Sequence, residues 1–139
     1  MLPEKFFLEI VTPSQLLYSG NVTEATVPGL AGYMGILPGH APLISELTIG
    51  EISFVEQASR RKHHMFCAWG FCEVLPEQVS VLAQIAERAE DIDLSRAESA
   101  KARAEQRLNA KDPDTDFKRV QLALARALHR IQLAKKSNR

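Results

Sequence analysis

The sequence predicts an all-β sandwich or barrel followed by an antiparallel two-helix hairpin, and three observations carry that prediction. As far as Ile85, segments of alternating apolar and polar residues are separated about every ten residues by turn-forming residues. From Leu94 onward, apolar residues instead recur every three or four positions, the period of a helix. Charge divides at the same place, with a net −7 over residues 1–93 and +7 over 94–139. We expect a β-sandwich over residues 1–87, a linker over 88–93 and a helical hairpin over 94–139.

The strands are predicted from their period of two, because successive side chains of a strand point to opposite faces. Gly70 separates two of the predicted strands and is expected to mark a bulge. The basic run from Arg60 to Lys62 is expected to be a solvated turn. The predicted strands cover residues 5–12, 21–27, 50–56, 64–69, 71–75 and 79–85.

Residues 32–43, GYMGILPGHAPL, are too rich in glycine and proline for a helix and too apolar for a free loop. They predict a short strand, a turn at Pro38-Gly39 and a second strand from Pro42. No Lys-Ser or Lys-Thr follows the glycines, which argues against a phosphate-binding loop. His40 has no second ligand at a metal-binding interval, so we expect a hydrogen-bonded corner histidine and no metal site. On spacing alone, the segment is a structural corner.

Two helices are predicted after the linker. Asp93 and Asp116 are suitable N-caps, and the break at 109–115 contains Pro113. The apolar residues of each helix form a seam, the line along which the two helices would face each other. The first helix contributes mainly alanine to it, and alanine buries little area, so the hairpin is either weakly docked and mobile or a static cap. The predicted seam residues are Leu94, Ala97, Lys101, Ala104 and Leu108 of the first helix, and Phe117, Val120, Leu124, Ala127, Ile131 and Ala134 of the second.

Four arginines are spaced to share faces of these helices. Arg96 and Arg103 are seven apart on the first helix, and Arg126 and Arg130 are four apart on the second. Since the start of one helix lies beside the end of the other, we expect their guanidinium groups to converge near the linker. A polyphosphate would neutralise such a cluster, although arginines in this position are often only solubilising.

Composition and missing motifs exclude several classes of protein. No apolar run approaches the roughly 20 residues of a membrane helix, and no secretory signal begins the chain. Cys67 and Cys72 are expected to be buried free thiols in a reducing cytoplasm. No nucleophile-base pair, paired-carboxylate motif or P-loop is visible, so we expect no catalytic residues and no enzyme activity.

Two stretches carry a resemblance to a known family. GILPGHAPL resembles the signature corner of the epsilon subunit of bacterial F-type ATP synthases, and the resemblance covers the whole chain. IDLSRA, residues 92–97, is similar to the I/L-D-x-x-R-A motif by which many of these subunits bind ATP, and the flanking sequence looks like Bacillus-type versions. One departure is AWGFCEV, residues 68–74, where the family usually has S-G-G before the bulky residue.

This resemblance implies ATP as a regulatory ligand, with no cofactor required. Glu87 and the backbone around Ile92 and Asp93 would hydrogen-bond adenine, while arginines would hold the phosphates. The implied ATP-binding residues are Glu87, Ile92, Asp93, Arg96, Ala97, Arg103, Arg126 and Arg130.

The resemblance also implies a role and partners. The protein would be a non-catalytic central-stalk subunit, peripheral on the cytoplasmic face of the bacterial plasma membrane. Its sandwich would contact the gamma subunit and the c-subunit ring, coupling rotation to proton flow. Its hairpin would fold down when ATP is bound, or extend toward the alpha/beta hexamer and block ATP hydrolysis.

Two other functions compete with this interpretation. The basic helices could belong to a nucleic-acid-binding module, but Phe117 is the only aromatic residue after Phe71 and falls on the apolar seam, where it could not stack on bases. A free-standing β-sandwich that binds a ligand and oligomerises through its hairpin is the second alternative.

Overall fold

The computed structural model describes residues 3–137, and the chain divides into two compact units, Met1–Arg88 and Ala89–Arg139. The first unit contains only strands and the second only helices, which confirms the predicted fold class. The strands are β1 (Phe6–Val11), β2 (Leu16–Gly29), β3 (Gly32–Ile36), β4 (Leu43–Leu47), β5 (Gly50–Glu56), β6 (Lys62–Val74) and β7 (Gln78–Arg88). The second unit consists of a 3-10 helix (Ala89–Asp91), α1 (Leu94–Ala110) and α2 (Phe117–Ser137).

The seven strands are hydrogen-bonded to one another in a sheet that surrounds one core. β1 pairs antiparallel with β2 and parallel with β7, β2 pairs with β5, β5 with β6, and β6 with β7, which closes a ring. β3 is added beside β2, and β4 lies mainly beside β6. Among residues 3–137, no polar or charged residue is fully buried, so burial of apolar side chains dominates the stability of this core.

β6 is one strand, so the prediction of two strands separated by a bulge at Gly70 is wrong. Its register with β7 runs without a shift past this point, and no residue is inserted. Instead, Trp69 and Gly70 both adopt positive φ, 65° and 129°. These angles rotate the strand about its axis. Cys67 before the rotation and Cys72 after it both face the core, although side chains five residues apart in a regular strand would point to opposite faces. A Cβ on Gly70 would lie 2.1 Å from the carbonyl oxygen of Leu82.

The corner at residues 32–43 has the predicted form of two short strands around a turn. β3 ends at Ile36 and β4 begins at Leu43, with Gly39 between them at φ 83°. Nδ1 of His40 lies 2.7 Å from the carbonyl oxygen of Ala41, which confirms a hydrogen-bonded corner histidine.

Both cysteines are free and fully buried in the β-sheet core, as predicted. Burial raises the pKa of the Cys67 thiol to about 12, with a smaller contribution from Cys72 nearby. Burial likewise raises the pKa of the Cys72 thiol to about 12.

Candidate nucleotide-binding site

Two aspartates fix the starts of the helices, as predicted. Oδ1 of Asp93 accepts a hydrogen bond from the amide of Arg96 at 3.1 Å. Oδ1 of Asp116 accepts one from the amide of Arg119 at 3.2 Å. Each cap satisfies an amide that the first turn of a helix leaves without a partner. The first turn of α1 is therefore built by the same residues that form the IDLSRA motif.

Small residues line the contact between the two helices. Ala97 and Ala104 are buried on α1, and Ala127 and Ala134 are buried on α2, seven residues apart in each case. The helices are joined by the short loop 111–116, so they run antiparallel, and the buried alanines of each helix lie on its side facing the other. Alanine lets two helix axes approach closely and leaves the flanking positions near one another.

One predicted seam residue lies elsewhere. Phe117, the first residue of α2, is 41% exposed, so its assignment to the seam is wrong. α1 ends at Ala110, and Lys111 takes a left-handed conformation that turns the chain. Val120, three residues further along α2, is buried.

The arginines lie on one side of the seam. Arg96 and Arg103 each directly precede a seam alanine of α1, and Arg126 directly precedes Ala127 of α2. In two antiparallel right-handed helices that face each other, the residue before a seam position points to the same side of the pair. Arg130 follows Arg126 by four residues and shares its face.

The rise per residue along each helix sets the spacing of these arginines. At 1.5 Å per residue, Arg103 lies about 10 Å further along α1 than Arg96, and Arg130 lies about 6 Å further along α2 than Arg126. Convergence of all four guanidinium groups near the linker stays a prediction.

A fifth arginine belongs to this side and was missed. Arg107 is exposed and follows Arg103 by four residues, so it lies on the same face one turn later. The carboxylates of Glu98 and Glu105 directly follow the seam alanines and therefore lie on the opposite side, where Glu105 pairs with Lys101 at 3.6 Å. The i, i+4 spacing of Arg103 and Arg107 was the signal available in the sequence.

The remaining residues predicted at the site have structural tasks. The amide of Ile92 donates to the carbonyl oxygen of Ala89 at 3.3 Å, which continues the 3-10 helix toward α1. Ala97 is 4% exposed and fills the seam. Glu87 belongs to the first unit, in β7, where it pairs across the sheet with Phe66. The other seven of the eight predicted residues belong to the second unit.

Charge and exposure suit the arginine side to a polyanion. Arg96 and Arg103 are exposed, and Arg126 and Arg130 are half-buried. Guanidinium groups bind phosphate oxygens bidentately, and several on one face can hold a triphosphate along its length. Phosphate binding by these arginines stays a prediction.

Comparisons with known proteins agree with this two-part architecture. The family described as the beta-sandwich domain of the ATP synthase Delta/Epsilon chain matches residues 5–89, and its long alpha-helix domain matches residues 90–135. An ATP synthase epsilon chain of Koribacter versatilis is 50% identical over 113 residues, covering 81% of this chain and 78% of its own. One of Nitratidesulfovibrio vulgaris strain DP4 is 46% identical over 132 residues, covering 95% and 97%.

Solved structures show the same fold at low sequence identity. A chain of the Euglena gracilis mitochondrial ATP synthase superposes with a TM-score of 0.80 at 21% identity, covering all of this chain and 84% of that one. A chain of the Tetrahymena thermophila mitochondrial ATP synthase central stalk and c-ring gives 0.61 at 14% identity, with full coverage of both.

The fold and the matched domains define a non-catalytic subunit of a rotary ATP synthase, a class whose catalytic sites lie in the beta subunits. The chain belongs to the ATP synthase epsilon chain family. Within residues 3–137, neither helix combines the length and apolar character needed to span a bilayer.

Proposed function

We propose that this protein is the central-stalk subunit that restrains ATP hydrolysis through a mobile hairpin, and that ATP stabilises the compact hairpin. The observation that carries the proposal is the set of arginines on one side of the alanine seam, drawn from both helices. Because α1 and α2 each supply arginines, a ligand that bridges them holds the helices together.

Phosphates of ATP are the groups that the arginines would bind. Four arginines drawn from both helices would hold the phosphate chain: Arg96, Arg103, Arg126 and Arg130. Adenine would be held by Glu87 and by the backbone at Ile92 and Asp93, as the family motif implies. A hydrogen bond to a charged group contributes about 1.5–3 kcal/mol. Shifting a two-state equilibrium from 1:99 to 99:1 needs about 5.5 kcal/mol of preference for one state, which two or three such contacts supply.

The two units have different partners in this proposal. The sandwich contacts the gamma subunit and the ring of c subunits through the GILPGHAPL corner or its neighbouring strands, and couples rotation to proton flow on the cytoplasmic face of the membrane. In the absence of ATP the hairpin extends along gamma. Its +7 net charge then favours contact with acidic segments of the alpha/beta hexamer and blocks hydrolysis.

Calorimetry with ATP tests the site. The wild-type chain should bind ATP without hydrolysing it, and Arg103→Ala, Arg126→Ala and Arg130→Ala should each weaken binding roughly ten- to a hundredfold. Arg60→Ala, in the exposed β5–β6 turn of the other unit, is the distant control and should bind as wild type. Equal affinity in all five proteins, or no binding at millimolar ATP, would rule the site out.

A further inference from the structure

The end of the sheet beside the β5–β6 turn holds a cluster of three rings. The rings of Phe54 and His63, cross-strand partners on β5 and β6, are stacked with centroids 4.9 Å apart and an interplanar angle of 11°. The ring of Tyr18, from β2, lies 4.3 Å from that of Phe54 and 5.8 Å from that of His63. Phe54 belongs to the buried β-sheet core. The imidazole of His63 is therefore held against the core by aromatic contacts.

The carboxylate of Glu56 lies beside these rings and stays ionised. It accepts hydrogen bonds from the hydroxyl of Ser59 at 2.7 Å and from that of Tyr18 at 3.4 Å. The hydrogen bond from Ser59 is the main cause that lowers the pKa of Glu56, against a smaller opposing effect of desolvation. Burial raises the pKa of Tyr18, and the charge of Glu56 adds to this effect. Around neutral pH the carboxylate therefore remains charged, and the Tyr18 hydroxyl keeps its proton.

One nitrogen of the His63 ring lacks a hydrogen bond. Nε2 is buried, and no described residue donates a hydrogen bond to it or accepts one from it. It lies 3.7 Å from Oε2 of Glu56, too far for a hydrogen bond but close enough for attraction between charges. A buried polar atom without a partner costs free energy. Protonation makes both ring nitrogens donors and gives the ring the opposite charge to Glu56, so a small movement then satisfies Nε2.

We propose that His63 and Glu56 form a proton-operated latch, which fastens the β5–β6 turn to the end of the sheet when His63 is protonated. The added proton also places a cation over the ring of Phe54, at 4.9 Å, where cation–π attraction stabilises it. When His63 is neutral, both attractions are lost and Nε2 is again without a partner. The proposal is independent of the proposed function, because every group of the latch belongs to the first unit.

The groups around His63 leave it as the one that responds near neutral pH. Lys62 and His64 flank it in β6, so their side chains point to the opposite face, where His64 pairs with Glu51. Arginine stays charged throughout, and histidine is the side chain that changes its charge between pH 5 and 8. The other titratable or charged groups around the latch are Tyr18 of β2, Glu56 of β5, Arg61 of the turn and Arg88 of β7, which donates to the carbonyl oxygen of Leu17.

Amide hydrogen exchange of the full-length chain tests the proposal, with rates corrected for intrinsic exchange at each pH. The amide of Gln57 donates to the carbonyl oxygen of Asn21 at 3.0 Å, and that of Arg60 donates to the carbonyl oxygen of Glu56 at 2.9 Å. Both amides should be about fivefold more protected at pH 6 than at pH 8, the size expected for an ion pair that is partly exposed. Equal protection at the two pH values would overturn the proposal.

Two variants remove the latch and keep its surroundings. Glu56→Gln retains an oxygen that accepts from Ser59 but loses the charge, and His63→Phe retains a ring that stacks on Phe54 but cannot be protonated. In each variant the protection of the turn should change less than twofold between pH 6 and pH 8. His64→Phe is the matched control, one residue away on the opposite face, and should keep the wild-type response.

The outcomes decide which group senses the pH. A wild-type response in Glu56→Gln, or loss of the response in His64→Phe, would show that the His63–Glu56 pair is not the sensor. The NMR signals of the His63 ring give a second measurement, because they should titrate with the same midpoint as the protection of the turn. Different midpoints would contradict the latch. Should His63→Phe fail to fold, Glu56→Gln and the ring signals decide the question.

Discussion

The carboxylate of Asp93 accepts a hydrogen bond from the amide of Arg96, so the acidic and the basic residue of the IDLSRA motif are joined by the first turn of α1. A substitution at Asp93 therefore alters the N-cap of α1, in addition to any contact that Asp93 makes with a ligand. Asn caps helices about as well as Asp, whereas Ala does not. The two substitutions separate the structural task of Asp93 from its charge.

Asp93→Ala should lower the free energy of unfolding of the hairpin by about 1 kcal/mol, whereas Asp93→Asn should change it by a few tenths at most. Urea denaturation followed by helical circular dichroism measures both. Equal stability of the Ala and Asn variants would show that the cap does not stabilise α1. ATP binding that is retained in the Asn variant would show that the negative charge is dispensable for the ligand.

Gly70→Ala should destabilise the sandwich by about 3 kcal/mol or more, because the position has φ 129° and the new Cβ would meet the carbonyl oxygen of Leu82 at 2.1 Å. Gly35→Ala is the matched control, since Gly35 also lies in a strand and a Cβ added there would have no neighbouring atom within 4 Å. Chemical denaturation of both variants gives the comparison. Similar free energies of unfolding for the two would refute a steric requirement at Gly70.

Alkaline pH should destabilise the core through its two thiols. The folded pKa of each is raised from 9.0 to about 12, so their contribution to stability is fully present below pH 9 and is lost as the pH rises toward 12. The free energy of unfolding should fall across this window more steeply in wild type than in Cys67→Ala combined with Cys72→Ala. Iodoacetamide should label the native thiols only as fast as the sandwich opens. Rapid labelling of both cysteines at neutral pH would contradict their burial.

Deletion of residues 94–139 should raise ATP hydrolysis by the assembled synthase and leave coupled synthesis largely unchanged. Charge reversal at Lys118, Arg119, Lys135 and Lys136 should act in the same direction, because opposite charge holds the extended hairpin in our proposal. Hydrolysis and synthesis assays on the reconstituted complex measure both effects. Hydrolysis that does not change on deletion would exclude an inhibitory role for the hairpin.

Alternation identified strands well wherever one face is buried, because the period of two maps directly onto inside and outside. It missed the start of β2, where Leu16 is exposed and Leu17 is buried beside a register shift with β1 between Ile10 and Val11. It also divided β6 at Gly70, because glycine suggests an interruption while the actual turn uses two consecutive positive φ angles. The first error arises from pairing between strands, which a single strand does not encode, and the second from the positive φ angles of Trp69 and Gly70.

Helical spacing predicted the two helices and their capping aspartates, whereas convergence of the arginines stays a prediction, because it depends on how far one helix is displaced along the other. Phe117 was assigned to the seam because it continues the spacing of three and four residues, but it is the first residue of α2 and is 41% exposed. Arg107 could have been found from its spacing, since it follows Arg103 by one turn.

The parallel pairing of β1 with β7 determines how the first unit responds to force. β7 ends at Arg88, directly before the helical unit, so tension from the hairpin enters the sheet at the C-terminal end of this strand. β1 runs alongside in the same direction from the Phe7–Gln78 pair to the Val11–Leu82 pair. Tension between the start of β1 and the end of β7 therefore shears these hydrogen bonds together instead of breaking them one after another. A strand loaded in this way resists extraction, so force applied to the chain after Arg88 would not separate this strand pair one hydrogen bond at a time.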